Sequence, residues 1–210
     1  MSIKLSDLAN AISISLSCLF MIQAAVNVYL LRNTPKHYRV LAWYVIVCCC
    51  FDLTSWIVAE LYTVNYLMLP FFNASELVLF CIFFARLLQS KVPYLLMAGG
   101  LVIGGFDLWH MLNTGEGGQE YITLGRVFTA VIIISMVFVQ MFRHMERNAL
   151  AKMNYGIVFY FAVTFVHFIM LNFLITVPSE LKFIFWIIYA LSCGFFYHLI
   201  TTFLWKNRLS

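Results

Sequence analysis

Lysine and arginine residues cluster in alternate gaps between seven long apolar stretches of this chain. The four clusters are Arg32/Lys36/Arg39, Arg86/Lys91, Arg143/Arg147/Lys152 and Lys206/Arg208. Of the other basic residues, Lys4 and Lys182 fall on the opposite side, and Arg126 lies within an apolar stretch. Cytoplasmic loops of multi-pass membrane proteins carry an excess of such residues. The pattern therefore predicts seven transmembrane helices, with the N-terminus outside and the C-terminus in the cytoplasm.

Composition agrees with a membrane protein and leaves little room for anything else. The chain is 63% hydrophobic and 10% charged, whereas a soluble domain carries roughly 25% charged residues. Seven spans of about 20 residues, together with their short connections, use nearly all of the 210 residues. We expect one domain, residues 1–210, that contacts membrane lipids. The net charge of +4 is explained by the inner loops, so we expect no nucleic-acid partner.

The predicted architecture is an all-α bundle. Its spans cover about 8–31, 40–62, 66–88, 93–112, 121–142, 154–177 and 182–205. Short connections make successive helices antiparallel neighbours, and the order of the loops permits a 3+1+3 layout with parallel halves. Gly100 and Gly104 form a small-xxx-small pair, which lets helices approach closely. We expect the fourth helix to pack centrally or to form a homo-oligomer interface.

Polar side chains within the spans are the candidate site residues, because ionisable groups are costly at membrane depth. Counted from the span ends, most of them fall in the outer half of the bundle. This distribution suits a polar cavity that opens outward. The ligand-binding or proton-coupling candidates are Asp52, Trp56, Glu60, Glu76, Asp107, Arg126 and His167.

Structural roles remain open for several of these residues. Asp107 and Arg126 belong to adjacent helices at similar depth, so they could form an ion pair that fixes packing, or they could contact a ligand. Glu76 and His167 could share a hydrogen bond inside the bundle. Glu60 lies at the outer edge, where water could solvate it.

Metal, cofactor and catalytic motifs are weak in this sequence. Asp107-x-x-His110 supplies only two potential metal ligands, and no His-x-x-x-His pair occurs. Cys48, Cys49 and Cys50 point about 100° apart on a helix, so they cannot converge on one metal. We assign no metal, cofactor or catalytic residue, and the sequence favours a non-enzymatic role while leaving an enzyme open.

Four loose features carry a resemblance to a known family. They are Glu76 in the third span, Arg126 early in the fifth, Tyr160-Phe161 in the sixth and Trp186/Trp205 in the seventh. With them, the chain resembles a family of small seven-helix membrane proteins of Bacteroidota and the membrane regions of some bacterial sensor histidine kinases. The resemblance implies sensing or signalling in a bacterial inner membrane. No kinase domain precedes Ser210, so we expect a partner protein.

Three functions remain open from the sequence. A sensor or receptor-like module would bind a small polar or amphipathic ligand in the outward cavity. It would signal to a partner through the inner-loop residues Arg143, Arg147 and Lys152. A solute or proton-coupled transporter would use Asp52 and Glu76 as coupling carboxylates. A lipid-modifying enzyme would use Asp107, His110 and Glu76.

Overall fold

Seven α-helices make up the structure, a computed structural model that describes residues 5–62, 68–113, 124–143, 148–174 and 179–208. Side chains are described over these ranges except at 5–10, 59–60, 62, 148–149, 171–174 and 179–182. The helices are α1 (Leu5–Asn33), α2 (Arg39–Tyr62), α3 (Met68–Leu88), α4 (Val92–Asn113), α5 (Leu124–Arg143), α6 (Asn148–Leu174) and α7 (Ser179–Lys206). All seven are long and apolar enough to cross a membrane. The prediction of an all-α, seven-helix, multi-pass membrane protein is confirmed over the described residues.

Helix boundaries follow the local sequence. Pro70 is the third residue of α3 and Pro93 the second of α4, where a missing N–H breaks no helical hydrogen bond. α6 begins at Asn148 rather than near 154, so the expectation that Lys152 lies in a loop is wrong. The residues 149–153 are Ala, Leu, Ala, Lys and Met, which favour helix and continue it beyond the apolar stretch.

The helices form a ring in chain order. Each helix packs against the next, α7 returns to α1, and two further contacts, α3–α5 and α2–α7, cross the ring. These contacts place α2, α3, α5, α6 and α7 around the core, with α1 and α4 outside two of its seams. The expectation that the fourth helix is central is therefore wrong. Its described buried residues are only Pro93, Gly100 and Asp107. A homo-oligomer interface on α4 stays a prediction.

Aromatic rings fill the centre of the five-helix core. Phe80 lies 4.8 Å from Tyr44 and 5.2 Å from Phe161, both edge to face. Tyr160 stacks on Phe196 at 4.5 Å. All of these side chains are buried, and aromatic pairs with such geometry add stability beyond the area they bury. The core is packed with rings between α2, α3, α6 and α7.

The basic clusters come together at one end of the bundle. Arg86, near the end of α3, donates a 3.2 Å hydrogen bond to the carbonyl of Lys36, between α1 and α2. Tyr38 packs edge to face on Phe203 near the end of α7, at 5.0 Å. Gly156, early in α6, lies against Leu199, late in α7. Apart from Arg126, near the start of α5, the Lys and Arg residues whose side chains are described therefore lie at helix termini and loops that meet at one end, which we call the basic end.

α4 and α5 approach closely at the opposite end, through glycine. A Cβ atom added to Gly125 would lie 2.9 Å from the Asp107 Oδ2 atom and 3.2 Å from the Gly104 Cα atom. Because the Gly104 Cα atom belongs to the backbone of α4, this contact could be relieved only by moving α4 and α5 apart. Gly125 therefore has a packing role that no larger residue can fill.

We predict that Gly125→Ala destabilises the protein by about 1–3 kcal/mol, the usual cost of overpacking. Gly99→Ala is the matched control, because a Cβ atom there meets nothing within 4 Å. We expect Gly99→Ala to be neutral or slightly stabilising, since alanine favours helix. Thermal unfolding in detergent measures both, and equal melting temperatures for the two variants would contradict the close contact.

Candidate functional site

A buried ion pair joins α3 and α5 in the interior of the bundle. Arg126, the third residue of α5, places its Nη1 atom against Oε2 of Glu76 on α3, and both side chains are 0% exposed. No water-sized space therefore touches either charge. A buried charge without a partner costs several kcal/mol, so each residue depends on the other.

Three further side chains hydrogen-bond the pair, while the Arg126 Nε atom has no hydrogen-bond partner within the described part of the chain. Tyr44 on α2 and Tyr160 on α6 donate to Glu76 Oε1 at 2.6 and 2.9 Å. Arg126 donates from Nη1 to Asn73 Oδ1 at 3.2 Å and from Nη2 to the Tyr160 hydroxyl at 3.4 Å. These five residues, here called the ion-pair cluster, connect four of the core helices. A change in any bond is therefore felt by several helices.

Aromatic rings surround the guanidinium group of Arg126. Its Cζ atom lies 5.4 Å from the ring centre of Phe72, 5.9 Å from that of Phe161 and 5.2 Å from that of Phe168. A cation over an aromatic face is attracted by the ring, by about 2 kcal/mol or more when water is excluded. The rings thus exclude water and also compensate the charge.

His167 lies beside the cluster without bonding Glu76. Its ring stacks on Tyr189 of α7 at 4.5 Å and 12°, and it meets Phe168 edge to face. The side chain is 8% exposed, and its Nδ1 atom has no hydrogen bond within the described part of the chain. The Glu76–His167 hydrogen bond that the sequence allowed does not form, because two tyrosines and Arg126 already contact the carboxylate.

Asp107 has a different partner from the one predicted. Its Oδ2 atom accepts a 2.6 Å hydrogen bond from the backbone N–H of Gly125, the second residue of α5. The carboxylate of α4 thus caps the N-terminus of α5, where helical N–H groups lack partners and negative charge is favourable. The Asp107–Arg126 ion pair, one of the two alternatives that the sequence left open, does not form, because Arg126 turns away from this end toward Glu76.

Asp52 and Trp56 lie apart from the ion-pair cluster. Ser17 on α1 donates to Asp52 Oδ2 at 2.9 Å, so the half-buried carboxylate joins α1 to α2. Trp56 is 61% exposed on the outside of the bundle. The side chain of Glu60 lies outside the described residues. The predicted site residues therefore do not line one cavity in this structure.

The inner-loop residues lie where a partner could reach them. Arg143 ends α5 and Lys152 lies in the second turn of α6, and both are exposed at the basic end. Arg147 is outside the described residues. Gln140 and Asn154 join α5 to α6 through a buried hydrogen bond just inside this end. A rearrangement of either helix would therefore move the exposed basic residues.

Residues missed by the sequence reasoning include Tyr44 and the three phenylalanines around Arg126. Tyr44 stands five residues after Arg39, where a tyrosine looks like an ordinary interfacial ring. Phenylalanines in an apolar span carry no signal of their own. The sequence does indicate Asn73, because it lies one helical turn before Glu76 and therefore on the same face of the helix.

The arrangement offers little for hydrolytic or metal chemistry. Within the described residues, no three His, Cys, Asp or Glu side chains converge as a metal site would require. Cys193 and Tyr160 are buried, and Tyr189 is partly buried against the core. The cluster can hold helices together, and it can release them if a bond to the ion pair is replaced.

Comparison with protein-family models, with curated proteins and with solved structures finds no match to this chain.

We predict that Glu76→Gln and Arg126→Gln each destabilise the protein by about 3–5 kcal/mol, because each leaves one buried charge unpaired. The double variant Glu76→Gln/Arg126→Gln removes both charges and should recover part of this loss. Asp52→Asn is the control, for which we expect a loss of about 1 kcal/mol. Chemical denaturation in mixed micelles measures all four. Strictly additive losses in the double variant would show that the two residues are not coupled.

Proposed function

We propose that the chain is a seven-helix membrane sensor or receptor-like module in which the ion-pair cluster is the switch. The observation that carries this proposal is the buried Glu76–Arg126 pair, bonded to four core helices at once. A small polar or amphipathic ligand acts on this cluster from outside. The output is a shift of helices at the basic end.

The burial of the ion-pair cluster favours a switch over a binding site that is permanently open to ligand. Glu76 and Arg126 contact no space large enough for water, so a ligand must change the helix arrangement or replace a bond. Packed cores rearrange between discrete states rather than deforming continuously. A ligand shifts such an equilibrium only by its differential affinity for the two states.

The charge distribution supports the direction of signalling. The basic end faces the cytoplasm if the positive-inside rule holds, with the N-terminus outside and the bacterial inner membrane as the location. Arg143, Arg147 and Lys152 then face a cytoplasmic partner. The resemblance to the membrane regions of sensor histidine kinases implies the same direction of signalling.

The alternative functions have less support in the geometry. Asp52 bonds Ser17, whereas Glu76 bonds Tyr44, Tyr160 and Arg126. No contact among the described residues joins these two carboxylates, as a carrier that coupled through both would need. One carboxylate oxygen of Asp107 accepts the hydrogen bond that caps α5. Asp107 therefore does not join Glu76 in one catalytic centre, as the enzyme hypothesis would need.

Distance measurements at the basic end test the switch. We place spin labels through unnatural amino acids at Arg86 on α3 and Phe142 on α5, so that the six cysteines stay in place. Both positions are exposed. Glu76→Gln should shift or split the distance distribution by about 2 Å, the size of a typical helix shift, because α3 and α5 lose their ion pair.

Asp52→Asn is the control for this measurement and should leave the distances as in the wild type. A Glu76→Gln protein that stays folded by circular dichroism and keeps the wild-type distances would remove the cluster from any switching role.

Partner capture tests the signalling output. We expect Arg143→Glu/Lys152→Glu to reduce crosslinking of a cytoplasmic partner in the native host by about tenfold, since rim charges set encounter and salt dependence. The control Lys36→Glu/Lys91→Glu reverses two charges at the same end, away from α5 and α6. An equal loss in both double variants would indicate attraction to charge in general rather than a docking surface.

A further inference from the structure

A pocket on the side of the bundle reaches the ion-pair cluster from the membrane. It lies between α3, α4 and α5 and has a volume of about 170 Å³. Six of the residues that line it are Asn73, Leu77, Gly100, Gly104, Leu108 and Thr129. Phe71 and Leu101, which also line it, are 50% and 39% exposed. The pocket therefore opens toward the lipid-facing surface rather than into a central water-filled channel.

Glycine makes the space. Gly104 lines the pocket, and a Cβ atom there would meet nothing within 4 Å. The volume is close to that of an engineered cavity of about 150 Å³ that binds benzene. A pocket of this size takes a thin apolar group, such as part of one aliphatic chain, rather than a whole two-chain lipid.

Two buried polar side chains stand in the otherwise apolar wall. Asn73 is 6% exposed and Thr129 is 2% exposed. Pro70 on α3 and Gly125 on α5 form one end of the pocket. Asn73 follows Pro70, and Thr129 follows Gly125, by about one helical turn. Nearly all of the exposed wall is apolar, and Asn73 and Thr129 are the lining residues whose side chains can hydrogen-bond a ligand. In an apolar small-molecule site, a small number of polar groups fixes the orientation of the ligand.

We propose that this pocket binds a short single-chain amphiphile with a carboxyl or hydroxyl head. The head hydrogen-bonds Asn73 and Thr129, one turn inside the surface of the membrane. The tail runs toward the middle of the membrane, along Leu77 and Gly100. This orientation matches that of an amphiphile in a lipid leaflet. The inference rests on the proposed sensor function and assigns its ligand to this pocket instead of to an outward polar cavity.

Asn73 connects the pocket to the switch. Its Oδ1 atom accepts the hydrogen bond from Arg126 Nη1, and the same residue lines the pocket. A ligand head that bonds Asn73 competes with this hydrogen bond or reorients it. Binding therefore reaches the Glu76–Arg126 pair without contacting either charge directly.

Photolabelling of the purified full-length protein tests the site. The probe is a short fatty acid that carries a diazirine in its chain and a terminal alkyne, and decanoic acid is the competitor. We expect label on peptides of α3, α4 and α5 that line the pocket, and we expect the competitor to remove it. Gly104→Leu should lower this labelling about tenfold, as when roughly two chain methylenes lose their burial.

Gly99→Leu is the matched control, because Gly99 lies on the same helix, has open space at its Cβ position and does not line the pocket. It should label as the wild type does. Thr129→Val keeps the side-chain shape without the hydroxyl, and should lower labelling about fivefold through the lost hydrogen bond. If Gly104→Leu does not fold, Ala74→Leu fills the pocket from α3.

Label spread evenly over all lipid-facing helices, or label insensitive to filling the pocket, would overturn the site. If Gly104→Leu lowers labelling as expected but Thr129→Val leaves labelling unchanged, the assignment of the polar head would be overturned. The readout involves neither the spin labels nor the partner. A protein that labels in the pocket but does not switch contradicts the sensor function, whereas one that switches without labelling contradicts only the ligand site.

Discussion

The opposite charges of Glu76 and Arg126 are the constraint on which the core of this bundle depends. In a low-dielectric interior neither charge is tolerated alone, so α3 and α5 must stay adjacent although they are not neighbours in sequence. Tyr44 and Tyr160 then hydrogen-bond the Glu76 Oε1 atom, and Asn73 accepts from the Arg126 Nη1 atom. Once α2, α3, α5 and α6 are fixed in this way, α1 and α4 are left to cover seams.

Asp107 satisfies a second requirement, at the start of α5. Helical N–H groups at a helix end find no water at membrane depth, and each one left without a partner is costly. The carboxylate of α4 satisfies the Gly125 N–H, and the absence of a side chain at Gly125 permits the close approach. Because Asp107 is occupied there, Arg126 is free to extend inward to Glu76. The two acidic residues thus have separate tasks.

The seven helices were predictable because hydropathy and basic clusters are properties of the chain in one dimension. Glu76 and Arg126 were also predictable as buried ionisable groups. Their pairing was not, because depth along a span locates the Cα atom and not the charge. An arginine side chain is long enough to leave the depth of its own Cα atom, which is why matching Arg126 with Asp107 by depth failed. Tyr44 gave no signal, since its partner is thirty-two positions away in the sequence.

The position of α4 was mispredicted for a related reason. Gly100 and Gly104 indicate a close helix contact but not how many neighbours a helix has. Gly100 lies against Leu77 of α3, and Gly104 lies against Gly125 of α5. Two such contacts on one face are met by a peripheral helix, and the other face is left to lipid. A peripheral helix and a central helix can carry the same glycine pattern, and only the tertiary contacts distinguish the two positions.

The position of Asn73 decides how a signal can leave the cluster. Asn73 and Glu76 are one turn apart on α3, and the same helix carries Arg86 to the basic end, where it bonds the carbonyl of Lys36. A rigid helix transmits a displacement along its length, so in the proposed switch a change in the hydrogen bond between Asn73 and Arg126 would move the junction of α1 and α2. Coupling between two sites is reciprocal. If the proposed switch operates, a partner that holds the basic end in one arrangement would therefore also change the affinity of the pocket for the proposed amphiphile.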